Sequence, residues 1–178
     1  WLMERFLVLG GDFRESFISN LSDVEGELVV NCTGLGAREL CDDEEVVPVR
    51  GQIIYIEQDP GFGRFDQRAE NLIYTIPRRD VTVLGGTAQK GDWHGEVRES
   101  DTKEILEKCS LLWPELDRSR IVGKAVGLRP SRSEVRLEVD RSGDRIVIHN
   151  YGHGGAGVTL SWGCADEVVA LVSRLEQP

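Results

Sequence analysis

Four glycines fall within six positions, 152 to 157, directly before a mostly apolar stretch that runs to Leu175. Without a Cβ, glycine reaches positive φ and lets another group lie against the main chain. A run this dense predicts a tight turn feeding a helix. The first N–H groups of that helix lack intrahelical acceptors and carry the positive end of its dipole. Two readings are open: a plain loop-to-helix turn, or a turn that receives an electron-rich ligand atom, with Thr159 adding a hydroxyl. The pattern is not GxGxxG, and it does not follow a strand that opens a βαβ unit.

Upstream, hydrophobic periodicity switches twice. Residues 1–9 read as a helix ended by Gly10 and Gly11, and residues 12–19 as a short strand. Residues 27–31 form an apolar strand that runs into the turn Cys32-Thr33-Gly34-Leu35-Gly36, with a helix starting at Ala37. Strand, turn and helix in that order belong to a mostly parallel sheet. After the acidic run 42–45 the character becomes β-rich. Strands are predicted at 46–57, 71–77 and 81–85, the last two joined at Arg78-Arg79-Asp80, and further strands at 121–128, 134–139 and 145–149. Ser142-Gly143-Asp144 reads as a turn. Ile105, Leu106, Cys109 and Leu112 predict a helix over 102–112, stopped by Pro114. The fold class is therefore α/β of mixed type, a largely antiparallel sheet inserted between α/β-like ends.

Composition excludes several functions. Of the 178 residues, 40% are hydrophobic and 29% charged, enough for a packed core. A net charge of −10 argues against nucleic acid, which needs clustered cations. The four cysteines form no CxxC pair and read as free thiols of a reducing compartment. His94, His149 and His153 make no ligand set by spacing, so no metal is expected. There is no Ser/His/Asp pattern and no supported carboxylate pair. No uninterrupted apolar run reaches membrane-spanning length, and no membrane is expected.

Three further segments are candidates for chemistry. Arg129, beside Pro130 at a strand end, either pairs on the surface or presents its planar fork to a carboxylate. Tyr74, in Asn71-Leu72-Ile73-Tyr74-Thr75-Ile76-Pro77, either packs or points its hydroxyl into a cleft. Gly85 to Trp93 reads as a glycine-rich loop with an aromatic anchor.

Taken together these segments resemble the D-amino-acid oxidase and D-aspartate oxidase family. The ordered set begins at Trp1-Leu2-Met3-Glu4-Arg5 and runs through Val29-Val30-Asn31-Cys32-Thr33-Gly34, Val49-Arg50-Gly51-Gln52 and Tyr74-Thr75-Ile76-Pro77. It continues with 84–93, 127–132, Val135-Arg136-Leu137-Glu138, His149-Asn150-Tyr151-Gly152-His153-Gly154-Gly155 and Trp162-Gly163. The resemblance implies the C-terminal part of an FAD-binding Rossmann-like domain, with residues 1–45 and 131–178 belonging to it and 46–130 forming a substrate-binding domain. The family's N-terminal unit would precede Trp1, and the chain alone is expected to bind FAD poorly and to be inactive.

By the same resemblance, Arg129 and Tyr74 hold the substrate α-carboxylate, and the Gly155 carbonyl accepts from the substrate amine. Gly154, Gly155, Ala156, Gly157, Val158 and Thr159 border the flavin ring, whose C2 carbonyl gains negative charge on reduction. Gln52 lies near that ring, and Thr33, Gly34 and Ile18 touch the cofactor's other end. The implied reaction is oxidative deamination of a D-amino acid by FAD and O₂, giving a 2-oxo acid, ammonia and H₂O₂, with no side-chain acid or base. There are departures from the family pattern. The lid before Tyr74 is short, and a second tyrosine is missing. The loop at 85–93 looks like that of the aspartate oxidases, yet it has Ala88 where they carry arginine; Arg68 lies near the place of another. The alternatives are a glycine- or sarcosine-type amine oxidase and a non-catalytic remnant. A cytoplasmic location is expected, or a peroxisomal one if a C-terminal address has been lost, and a homodimer is compatible with the sequence.

Overall fold

The computed structural model describes residues 1–68, 71–141, 143 and 145–175, with the main chain alone at 67, 68 and 71. Its elements are α1 (Leu2–Val8), β1 (Leu28–Asn31), α2 (Ala37–Leu40), β2 (Val47–Ile56), β3 (Arg64–Arg68), β4 (Asn71–Pro77), β5 (Thr82–Gly85) and β6 (Gln89–Lys90). They continue with α3 (Glu99–Leu112), β7 (Ile121–Asp140), β8 (Ile146–His153) and α4 (Gly157–Leu175). One eight-stranded sheet runs in the order β1-β8-β7-β2-β5-β4-β3, with β6 added against β2. β1 pairs with β8 in parallel, and the other described pairs are antiparallel. The mixed, largely antiparallel sheet expected from the pattern is what forms.

Side-chain alternation gives this sheet two unlike faces. On one, Ile54, Ile56, Ile73 and Leu84 meet Ile105, Leu106, Cys109 and Trp113 of α3 and its end. Each fully buried Ile or Leu adds about 1.5–3 kcal/mol to stability. The other face carries Gly51 and Ile53 of β2, Tyr74 of β4, Gly85 of β5 and Arg129 of β7, aligned by register. A smaller cluster joins Ala37, Val46 and Tyr151 under α2.

Several elements differ from expectation. Residues 12–18 form no strand. The two strands expected at 121–128 and 134–139 are one, β7, which pairs with β2 through Ser131 and with β8 from Arg136 onward. A strand that hands over between partners needs no break in extended backbone, although Pro130 and the polar residues after it look like one. β3 and β6 were not foreseen. β3 is an edge strand bonded to β4 and shows little apolar alternation. α3 starts at Glu99, three residues early, because its first turn buries Asp101 rather than an apolar group. Neither α1 nor α4 has a buried residue. The helical stretch Gly154–Leu175 is, by length and composition, apolar enough to cross a membrane, contrary to the reading of run lengths. It holds Asp166 and Glu167 near its middle, where charge is costly in hydrocarbon. Ser142, Asp144 and the Arg68 side chain lie outside the described residues.

Candidate active site

Arg129 leaves β7 on the open face and lies down along the sheet. Its guanidinium covers Gly51, where a Cβ would overlap it. Two neutral carbonyls steer it: Nη1 donates to Val49 O at 3.4 Å and to Thr87 O at 3.3 Å. Its full positive charge is thus held in one place by groups that do not neutralise it. Its Cδ stands 3.3 Å from where a Cβ on Gly155 would be. Glycine at 51 and at 155 gives the side chain its bed and its wall.

Tyr74 repeats the arrangement from the other side. Its ring covers Gly85, where a Cβ would overlap it, and its hydroxyl reaches past Gly86 toward β2. Burial pushes this hydroxyl above its ordinary pKa, against the opposing charge of Arg129. It therefore stays a neutral O–H, able to donate. Phe65, directly opposite in the β3–β4 register, stacks on Tyr74 with centroids 5.6 Å apart and planes at 28°. Nothing in the polar run around Phe65 signalled this contact.

The glycine-rich turn completes the site. Gly152 and Gly154 take φ of +88° and +56°, conformations that favour glycine. A 3-10 turn at Gly154–Ala156 then enters α4. An open cavity of about 470 Å³ is bordered by Arg129, Gly34, Asn150, Gly155, Gly157 and Val158, among others. Asn150 borders this cavity, and its Oδ1 is buried without a hydrogen-bond partner among the described residues. An orphaned acceptor, a bare main-chain turn and the open N-terminal end of a helix suit a planar polar ring system such as a flavin. Ala156 on this turn and Thr159 at the start of α4 are exposed but are not among the residues lining this cavity.

Not every expected residue joins them. Gln52 is fully buried on the opposite face. Its Nε2 donates to Arg98 O and Thr102 Oγ1, both at 2.9 Å, and its Oε1 accepts from Arg98 N. Its side chain is spent on anchoring α3 and does not face the cavity, which corrects the expectation of a ring contact. Only its main chain serves the site, through the Gln52 N–H donated to Thr87 Oγ1. Thr33 uses its hydroxyl on Asn31 Oδ1 at 2.7 Å, although its neighbour Gly34 borders the cavity. Ile18 is half-buried and is not among the cavity's lining residues. A second cavity, about 530 Å³, includes Asn20, Cys41, Arg136 and His149 in its lining, and none of the expected site residues.

Known proteins resemble the chain in sequence and in fold. A family profile described as FAD dependent oxidoreductase matches residues 1–171. The chain is 46% identical to a D-amino-acid oxidase of Rubrobacter xylanophilus over 96% of its own length and 54% of that protein. It is 43% identical to one of Streptomyces coelicolor (97% and 55%), and 39% identical to the human D-aspartate oxidase (98% and 52%). The chain spans about half the length of the curated relatives it matches. Among solved structures, a glycine oxidase of Bacillus cereus superposes with a TM-score of 0.73 at 20% identity, over 85% of this chain and 44% of that one, a likeness of fold.

Proposed function

The chain belongs to the FAD-dependent oxidoreductase family, and on that footing we propose that it supplies the substrate clamp and the flavin-edge turn of a D-amino-acid oxidase. The observation that carries this reading is the row Tyr74–Gly85–Gly51–Arg129 on one open sheet face, closed at its end by Gly155. Residues 1–45 and 131–178 go with the cofactor half, and 46–130 with the substrate half.

Arg129 takes the α-carboxylate in a charge-assisted fork, and the Tyr74 hydroxyl donates a further bond to it. The Gly155 carbonyl accepts from the amine. These contacts at two ends leave one orientation for the Cα–H bond, so the chain's contribution is alignment rather than proton transfer by a side chain. When bound, FAD supplies the two-electron acceptor, with O₂ as final oxidant and H₂O₂ as product. Gly154, Gly155, Gly157, Val158 and Asn150 are the groups that would hold its ring. The ring of Phe65 backs Tyr74 and limits its swing.

The test is turnover of D-alanine, L-alanine, D-aspartate and sarcosine by the FAD-loaded oxidase that contains this chain, before and after Arg129→Lys. The reading requires D-selectivity and loss of at least tenfold in kcat/KM with lysine, which keeps the charge but not the fork. Equal rates on D- and L-alanine, or an unaffected Lys variant, refute it.

A further inference from the structure

Asp43 hides in an acidic run, yet it is only 8% exposed. It follows α2, with its N–H donated to Arg38 O and its carbonyl accepting from Val46 N. Its carboxylate meets Arg132 Nε at 3.0 Å and accepts from the Tyr151 hydroxyl at 2.8 Å. Arg136 stands 3.9 Å away and donates to that same hydroxyl at 2.7 Å.

These partners flank an irregularity in the β7–β8 ladder. Ser131 pairs with His153 and Arg136 with Tyr151, so residues 132–135 of β7 face Gly152 alone on β8. Gly152, with His153 after it, therefore connects the regular part of β8 to the turn that carries Gly155. Arg132 packs on that residue: a Cβ on Gly152 would be 2.8 Å from Arg132 Cβ. Further along, Ser131 lies under Gly154 and Arg129 under Gly155. Asp43 holds Tyr151 directly and Gly152 through Arg132, and so it grips both sides of the irregularity.

We propose that Asp43 is a positioning residue that sets the distance between the Gly155 carbonyl and the Arg129 guanidinium, and with it the span available to a ligand bearing both a carboxylate and an amine. The proposal rests on the reading of Arg129 and Gly155 as the two ends of the clamp. Removing the charge leaves the Arg132 guanidinium with only the exposed Glu45 at 3.3 Å and the Glu134 carbonyl at 3.2 Å, which loosens its hold on β7 over Gly152 and lets the turn shift relative to β7. A carboxylate with no amine engages only the Arg129 end and does not sense that shift.

The experiment compares binding of D-alanine and acetate, by anaerobic calorimetry, to the oxidase that contains this chain with its FAD chemically reduced, so that no hydride can be accepted, and follows the Arg129 Nε–H resonance by NMR. Asp43→Asn is expected to weaken D-alanine about tenfold, the scale of a sub-ångström misplacement, while acetate stays within twofold. Arg132→Lys gives the same pattern with a smaller loss and serves if the Asn variant does not fold. Ile105→Val, a destabilising change in the α3 core, leaves both ligands unaffected. Equal loss of both ligands on changing Asp43, or loss of neither, overturns the proposal. If Arg129→Lys spares acetate, or if the unaltered protein binds neither ligand, the underlying clamp reading fails instead.

Discussion

The guanidinium of Arg129 lies against the α-carbon of Gly51, so that the smallest added side chain would displace it. The obstructed group is the end of a flexible side chain, not main chain. Gly51→Ala is therefore expected to spare the fold and damage ligand capture. A shift of about 1 Å in such a group costs on the order of 100-fold in activity. Urea unfolding within about 1 kcal/mol of the parent, together with a large rise in KM for a D-amino acid, is the expected pair of results. A normal KM would show that Arg129 is not held where it acts.

Arg50 and Asp101 form an ion pair at 2.5 Å with side-chain exposures of 0% and 7%. Arg50 also donates to Gln89 Oε1, Gln52 Oε1 and the carbonyls of His94 and Glu96. Asp101→Ala leaves a buried cation without its counter-charge, which costs about 3–5 kcal/mol. Chemical denaturation measures this directly. A loss under about 1 kcal/mol, the range of an exposed pair, would contradict the burial.

Acid should unfold the protein earlier than its carboxylates alone demand. Burial, aided by the charge of Arg136, holds the His149 imidazole below its ordinary pKa of 6.5, against the pull of Asp140 at 3.4 Å. Its Nδ1 accepts from Asn31 Nδ2, which places the proton on Nε2 toward Asp140. The unfolded chain takes up a proton near pH 6.5 that the folded chain still refuses. Stability is thus full above that value and declines as pH falls from it toward the folded pKa, by at most about 1.4 kcal/mol per unit. Unfolding midpoints between pH 7.5 and 5.5 should show this slope, and His149→Gln should flatten it.

The thiols should separate by burial. Cys109 is enclosed between α3 and the sheet, and burial pushes its pKa up to about 12. Cys32 is exposed. At pH 8 a disulfide reagent should label Cys32 in the native protein and reach Cys109 only after urea is added, because the thiolate is the attacking species. Native labelling of Cys109 followed by mass spectrometry would show that α3 opens readily.

The parts of this fold legible in the sequence were those that bury apolar groups at a regular period. The spacing of Ile105, Leu106 and Cys109 gives α3, and the β-branched run ending at Ile56 gives β2. From the ordered glycine, arginine and tyrosine segments, the structure brings Arg129, Tyr74 and Gly155 to one side of the sheet. Polar contacts at long range left no local trace. Gln52 sits beside a site residue in sequence but on the other face of the sheet, bonded to groups 46 and 50 positions away. Asp43 looks like part of a solvated acidic turn until strand β8 brings Tyr151 to it. β3 escaped because an edge strand can be bonded through its main chain without showing a period of two.

The two side chains proposed to grip the ligand, Arg129 and Tyr74, lie flat on glycine instead of standing free. An arginine in water gives up about 2 kcal/mol of rotational entropy when it is frozen. Here folding has already removed most of that freedom, before any ligand arrives. Capture is then expected to show a small entropic penalty from the protein, with affinity set by how well the acid group matches a fixed target. The same rigidity makes the pocket intolerant: a molecule whose acid group is offset by one bond length cannot recruit Arg129 by bending it toward itself.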